Sequence, residues 1–286
     1  MACSSSSKCT TKKTTSLLAT KRTTPRVFVC SHPHAEPPYG RKAIGTPISI
    51  PWNTKTSHWR KFISRSGQYI SSNGTLQSDT IYFWGEYEPG SSGRIINKTT
   101  PKALHDKLTP VRGSTIIPHG ALNTDPYVFG DHFKYICCRM GNKKHIPGDV
   151  ILFGHFDSET LLFDLDTVIV IKEMIKIDPK RNTSQYYKAS IEPLKIKGGY
   201  FYKGYNYSEN KCFSFVPCLV QPILSIVPPW PSLDLNSYGF DVKKCWYGYV
   251  AASIPFSEDI WQQLIQDVTE PKTGPKWLIG THVDKV

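Results

Sequence analysis

The sequence has no long apolar run and only one acidic residue, Glu36, in its first 65 positions. Even the most apolar segment, Leu161 to Ile171, is interrupted by Asp164 and Asp166, so no stretch reaches the roughly 18 apolar residues of a membrane-spanning helix. GxSxG, GxxxxGK(S/T), HExxH and GxGxxG are all missing, which removes the common signatures of serine hydrolases, P-loop proteins, zincins and dinucleotide-binding enzymes. A secretory apolar segment is missing as well, so the eight scattered cysteines are expected to be reduced thiols. Cys212 and Cys218 match no zinc-knuckle spacing, and Pro33 interrupts the Cys30, His32, His34 triplet, so no metal is expected. The residues name no cofactor.

The shortage of acid is local. Residues 1–65 carry twelve Lys and Arg and a net charge of +11, and the other 221 residues carry only +1 of the total +12. Residues 1–26 are Ser, Thr and Lys with little apolar content, a composition that predicts a disordered basic tail. The same composition resembles an organelle transit peptide, an alternative to a tail on a soluble cytoplasmic protein. Residues 27–286 are expected to form a single globular domain.

What is present is β-rich. Val150 to Phe153 and Leu161 to Ile171 read as two buried strands joined by a short polar turn, after the turn Pro147-Gly148-Asp149. Arg26 to Ser31, Thr80 to Trp84, Phe133 to Cys138 and Trp246 to Ile254 read as further strands, the third of them alternatively as a short helix. Tyr200 to Tyr207 and Cys212 to Val220 read as a second hairpin, with Pro217 confining its second strand to an edge or bulge. Helices are expected in the stretch His58 to Ile70, capped by Ser57, where Trp59, Phe62 and Ile63 share a helical face, and from Thr100 to Leu108. The clearest helix opens at Ser257, with acidic Glu258 and Asp259 in its first turn and an apolar stripe of Ile260, Trp261, Leu264, Ile265 and Val268. The fold class is therefore α+β: a curved antiparallel sheet or partly open β-barrel with short peripheral helices and a C-terminal helix.

Pro147-Gly148-Asp149 followed by an apolar strand resembles an element of the PUA-like superfamily, which includes the EVE, YTH and ASCH branches. The resemblance covers about 25 residues and implies a small β-barrel with a cleft for a nucleobase or modified base. The run from Asn123 to Gly130, with Tyr135, Phe201 to Gly204 and Phe213 to Pro217, also resembles bacterial proteins linked to nucleotide-modification-associated domains. That likeness transfers no catalytic residue.

Ligand contacts gather in loops at strand ends. On that ground Glu86, Asp125, Asp131 and His132 are the candidate acid and base groups. Trp84, Asn123, Tyr127, Tyr135, Phe153, Asp166, Thr167 and Tyr202 are the candidate ligand-binding residues, with Asp164 assigned to a solvent face. Arg60, Lys61 and Arg65 are candidates for the nucleic-acid backbone. The resulting expectation is a module that binds a nucleotide, a modified base or nucleic acid, with no membrane partner. The alternatives are an acid/base enzyme acting on such a molecule, and a structural or partner-binding protein.

Overall fold

Segments rich in β-branched and aromatic residues form twelve strands among the described residues. These are β1 (Arg26–Ser31), β2 (Trp59–Ile70), β3 (Leu76–Tyr87), β4 (Thr109–Pro110), β5 (Lys134–Ile136), β6 (Val150–Phe156), β7 (Phe163–Lys176), β8 (Tyr200–Gly204), β9 (Val216–Leu219), β10 (Ser232–Leu233), β11 (Ser253–Pro255) and β12 (Leu278–Val283). The computed structural model describes residues 22–31, 59–87, 109–110, 126–136, 145–156, 160–178, 180–181, 187, 199–221, 230–245 and 252–284, with the backbone alone at 59–64, 85–87, 109–110 and 136. The expected helix from Thr100 to Leu108 lies outside these residues, as do residues 246–251 of the expected strand Trp246 to Ile254, whose end falls in β11.

The strands build two units. One is a mixed seven-stranded sheet in the order β11-β1-β6-β7-β8-β5, with β10 paired to β7. The other is a barrel in which β12, β9, β3 and β2 close antiparallel on one another, with β4 added to β2. All ladders are antiparallel except β1 with β6, where Val27 lies opposite Val150. Two glycines sit where neighbouring barrel strands approach most closely, Gly67 beside the register shift of β12 on β2 and Gly280 opposite Val216 of β9. A Cβ on Gly67 would stand 2.4 Å from the His282 carbonyl oxygen, and one on Gly280 would stand 2.8 Å from the Val216 side chain. Only glycine fits at either position.

The expected β6–β7 hairpin forms, and it is the centre of the core. Every residue from Val150 to Gly154 and from Phe163 to Ile171 is buried. One face packs on Phe28, Tyr135, Tyr202 and the barrel residues Ile81 and Phe83. The other packs on Trp84, Trp230, Trp261 and Leu264. The last two belong to helix α2 (Glu258–Thr269), which starts where the sequence predicts: Ser257 Oγ accepts the Ile260 N–H at 3.3 Å. A four-residue helix α1 (Val242–Cys245) and a 3-10 turn at Leu235–Tyr238 complete the periphery. No helix among the described residues is long and apolar enough to cross a membrane.

Four expectations are corrected. The stretch from His58 to Ile70 is not helical where it is described. It enters β2, which pairs with β3 over twelve residues from Trp59↔Tyr87 to Ile70↔Leu76. Its aromatic and β-branched content suits an extended chain with a partner, and long-range pairing overrides the local helical spacing. The second hairpin does not form either, because the chain switches units: Phe215 bridges Val168 of β7, and Val216 then enters the barrel. As a result β9 lies between β12 and β3, away from the edge assigned to it by Pro217, and its pairing to β3 begins only at Cys218. Finally, Asp164 is buried instead of solvent-facing, because β10 covers it and Ser232 Oγ donates to its Oδ1 at 2.6 Å.

Candidate anion-binding site

The candidate site is built on the turn that leads into β5. Gly130, at φ 83°, donates its N–H to the Val283 carbonyl of β12 at 2.8 Å, which fixes the turn against the barrel. Asp131 is exposed on it and His132 is partly buried. The next residues return to the sheet: Gly204 N–H donates to Phe133 O at 2.8 Å, and Lys134 lies opposite Lys203 in the β5–β8 ladder.

Side-chain alternation then sorts the two strands. Tyr135 and Tyr202, also paired, point into the core and stack with ring centres 5.7 Å apart. Lys134 and Lys203 point the other way, so two ammonium groups share one face. Lys134 donates to the His132 carbonyl at 2.9 Å and stands 5.4 Å from the centre of the Tyr127 ring. Lys172, from β7, pairs with Glu209 and lies 6.0 Å from the Tyr205 ring. Glu209 is held by its own turn, where its Oε2 accepts the Asn206 N–H at 3.2 Å.

His132 joins these groups. Its Nδ1 lies 3.1 Å from the Gly204 carbonyl and 3.7 Å from Glu209 Oε2. A carbonyl only accepts, so Nδ1 carries the proton and Nε2 of the neutral ring keeps its lone pair. Burial lowers the His132 pKa below the ordinary histidine value, and the charges of Lys203 and Lys172 act in the same direction against Gly204 and Glu209. The imidazole is therefore neutral at neutral pH, and the positive charge of the face comes from three lysines.

The other candidates named from sequence are placed differently. Trp84, Tyr127, Tyr135, Phe153, Asp166, Thr167 and Tyr202 are all at most 5% exposed, so they pack the core and do not line an open cleft. Trp84 stacks on Trp230 at 3.7 Å. Thr167 pairs with Phe153 and Leu165 with Gly154, which makes Asp166 the extra residue of a β-bulge. Glu86, Arg60 and Lys61 lie in the β2–β3 ladder, where Arg60 pairs with Glu86, and their side chains lie outside the described set. Arg65 donates its Nε–H to Asp284 O at 3.3 Å, beside an open polar groove of about 340 Å³ lined by Ser66, Gln68, Ser78, Asp79, Thr80 and Asp284. Asn123 and Asp125 lie outside the described residues, so of the four acid and base candidates only Asp131 and His132 are placed together by side chain.

Lys134, Lys172, Lys203 and Glu209 escaped the sequence reading. The signal was present in Lys134-Tyr135 and Tyr202-Lys203, two adjacent pairs of opposite polarity that alternation separates onto two faces.

The Pro147-Gly148-Asp149 element forms a second, closed cluster. Gly148 takes φ 88°, as a tight turn requires. Asp149 bonds backward and across the sheet, accepting the N–H groups of Ile146 and Arg26, each at 2.9 Å, and both Arg22 Nη groups. His145 Nδ1 lies 3.4 Å from Asp149 Oδ2, and its ring sits among Phe28, Tyr135 and Tyr202. These partners overcome the cost of burial and hold the Asp149 carboxyl down to about 2. The cluster anchors the start of the described chain to β6. Comparison with known proteins returns no match to a family model, a curated protein or a solved structure.

Proposed function

We propose that the protein binds a nucleotide or nucleic acid through its phosphates, at the face formed by His132, Lys134, Lys172 and Lys203. One observation carries this reading: the charges of Lys172 and Lys203 act on the His132 imidazole and the Lys134 ammonium bonds the His132 carbonyl, so three strands each bring a lysine to one residue. Lysines set on a rigid sheet lose less freedom on binding than lysines on a tail, so they position a phosphate where a tail only attracts one. The basic stretch before Arg22, with Lys8, Lys12, Lys13 and Lys21, adds sequence-blind attraction. The PUA-like resemblance of Pro147-Gly148-Asp149 supports a nucleic-acid partner. Base recognition is left unassigned, because the aromatic candidates are enclosed.

The test is salt-dependent binding of short DNA and RNA oligonucleotides to the full chain. Replacing Lys134 and Lys203 by Ala is expected to weaken binding more than replacing the four tail lysines. Equal losses, or a loss only from the tail variant, would overturn the reading.

The His132 tautomer favours a second reading, an acid/base enzyme. Nε2 is a neutral base beside cations suited to a phosphate, and Asp131 is the adjacent acid. Under this reading His132→Gln abolishes turnover of a nucleotide substrate and weakens binding much less than loss of Lys134 and Lys203 does. Loss of binding with no turnover in the parent protein would reject it.

A further inference from the structure

The lysine face already holds one anionic group, supplied by the chain itself. Glu209 lies on the turn after β8, where its Oε1 takes the ammonium of Lys172, its Oε2 takes the Asn206 N–H, and the same oxygen faces His132 Nδ1. A carboxylate that accepts from an ammonium and a backbone N–H has the partners a phosphate oxygen would take. Lys203 lies opposite Glu173 in the β7–β8 ladder, and among the described residues no carboxylate comes within ion-pair distance of its ammonium.

The contact adds little stability. Both side chains are about a quarter to a third exposed, at 26% for Glu209 and 31% for Lys172. Ion pairs of that kind contribute little, because water screens them and long side chains lose freedom in forming them. Glu209 sits on a surface turn, so it can swing away without disturbing a strand.

We propose that Glu209 is a displaceable carboxylate occupying the phosphate position of the Lys172, His132 and Lys203 face, and that a phosphate ligand binds by replacing it. The inference rests on the phosphate-binding reading above. It makes Glu209 a selector: a doubly charged phosphate or a chain of phosphodiesters competes for Lys172, and a weak single anion does not.

The experiment titrates a short labelled single-stranded oligonucleotide into the full-length wild-type protein, E209Q, K172A and the K172A/E209Q double variant, with inorganic phosphate as a competitor. E209Q is expected to bind about two- to fivefold tighter than wild type, the scale of one released surface ion pair. Phosphate is expected to compete more strongly against E209Q than against wild type. The gain is expected to vanish in the double variant, because Lys172 is the group that Glu209 masks. Equal affinity of E209Q and wild type, with wild-type binding still dependent on Lys134 and Lys203, would overturn this inference and leave the phosphate-binding reading intact. A gain that persists without Lys172 would also overturn it, since it would reflect only the change in net charge. Absence of binding by all four proteins would remove the underlying reading and this inference with it. Unchanged thermal unfolding of the variants excludes a folding defect.

Discussion

Asp149 and Arg22 are joined by two parallel hydrogen bonds, Nη1 to Oδ1 at 2.7 Å and Nη2 to Oδ2 at 2.5 Å, across 127 residues of sequence. The carboxylate is fully buried and the guanidinium is 30% exposed, so one partner depends on the pair much more than the other.

That asymmetry sets an order of effects. Asp149→Ala is expected to destabilise the protein by about 3 kcal/mol, because it strands the Ile146 and Arg26 N–H groups as well as Arg22. Arg22→Ala is expected to cost less, about 1–2 kcal/mol, since Asp149 keeps its two backbone donors. Urea unfolding of both variants measures the difference.

The same carboxylate predicts an acid-sensitive term. Its folded pKa of about 2 lies below the ordinary value of 3.8, so its contribution is complete above pH 3.8 and is lost as pH falls toward 2. The difference in unfolding free energy between wild type and Asp149→Asn is expected to shrink by about 2 kcal/mol between pH 5 and pH 2. A constant difference across that range would contradict the assignment.

The barrel offers a steric prediction. Gly67→Ala places a methyl group against the His282 carbonyl and Ile81, and both are fixed by the closed wall. A loss of about 1–3 kcal/mol is expected, the range for overpacking a closed core. Gly74→Ala, at the open tip of the same hairpin, meets nothing within 4 Å, and its cost comes only from its φ of 80°. Thermal unfolding of the two variants separates crowding from backbone strain.

Salt dependence tests the lysine face in a different currency from affinity. If Lys134 and Lys203 each neutralise one phosphate, removing both is expected to reduce the slope of log K against log salt by roughly 1.5 for a single strand. An unchanged slope with weaker binding would place their effect on the fold instead of on the phosphates.

The parts of the fold legible in the sequence were those with a local cause. The run after Asp149 could only be buried strand, and Ser257 with Glu258 and Asp259 marked a helix start that the structure reproduces. The failures had distant causes. Trp59, Phe62 and Ile63 carry a helical spacing, and only the pairing with β3 makes them extended. Asp164 looked solvated because nothing near it in sequence announces β10, which arrives from Ser232 to cover it. The site failed in the same way: Asp131 and His132 could be named from their turn, whereas Lys134 becomes part of a face only when β5 meets β8 about 70 residues later.

Strand order also carries a temporal consequence. β1 sits between β6 and β11, and the barrel closes when β12 joins β2 and β9. A ribosome that has released the opening strand must therefore deliver more than two hundred further residues before that strand acquires both neighbours. Until then one edge of that strand stays open to chaperones or to like chains even after β6 has covered the other, so the exposure lasts until the nascent protein is nearly complete.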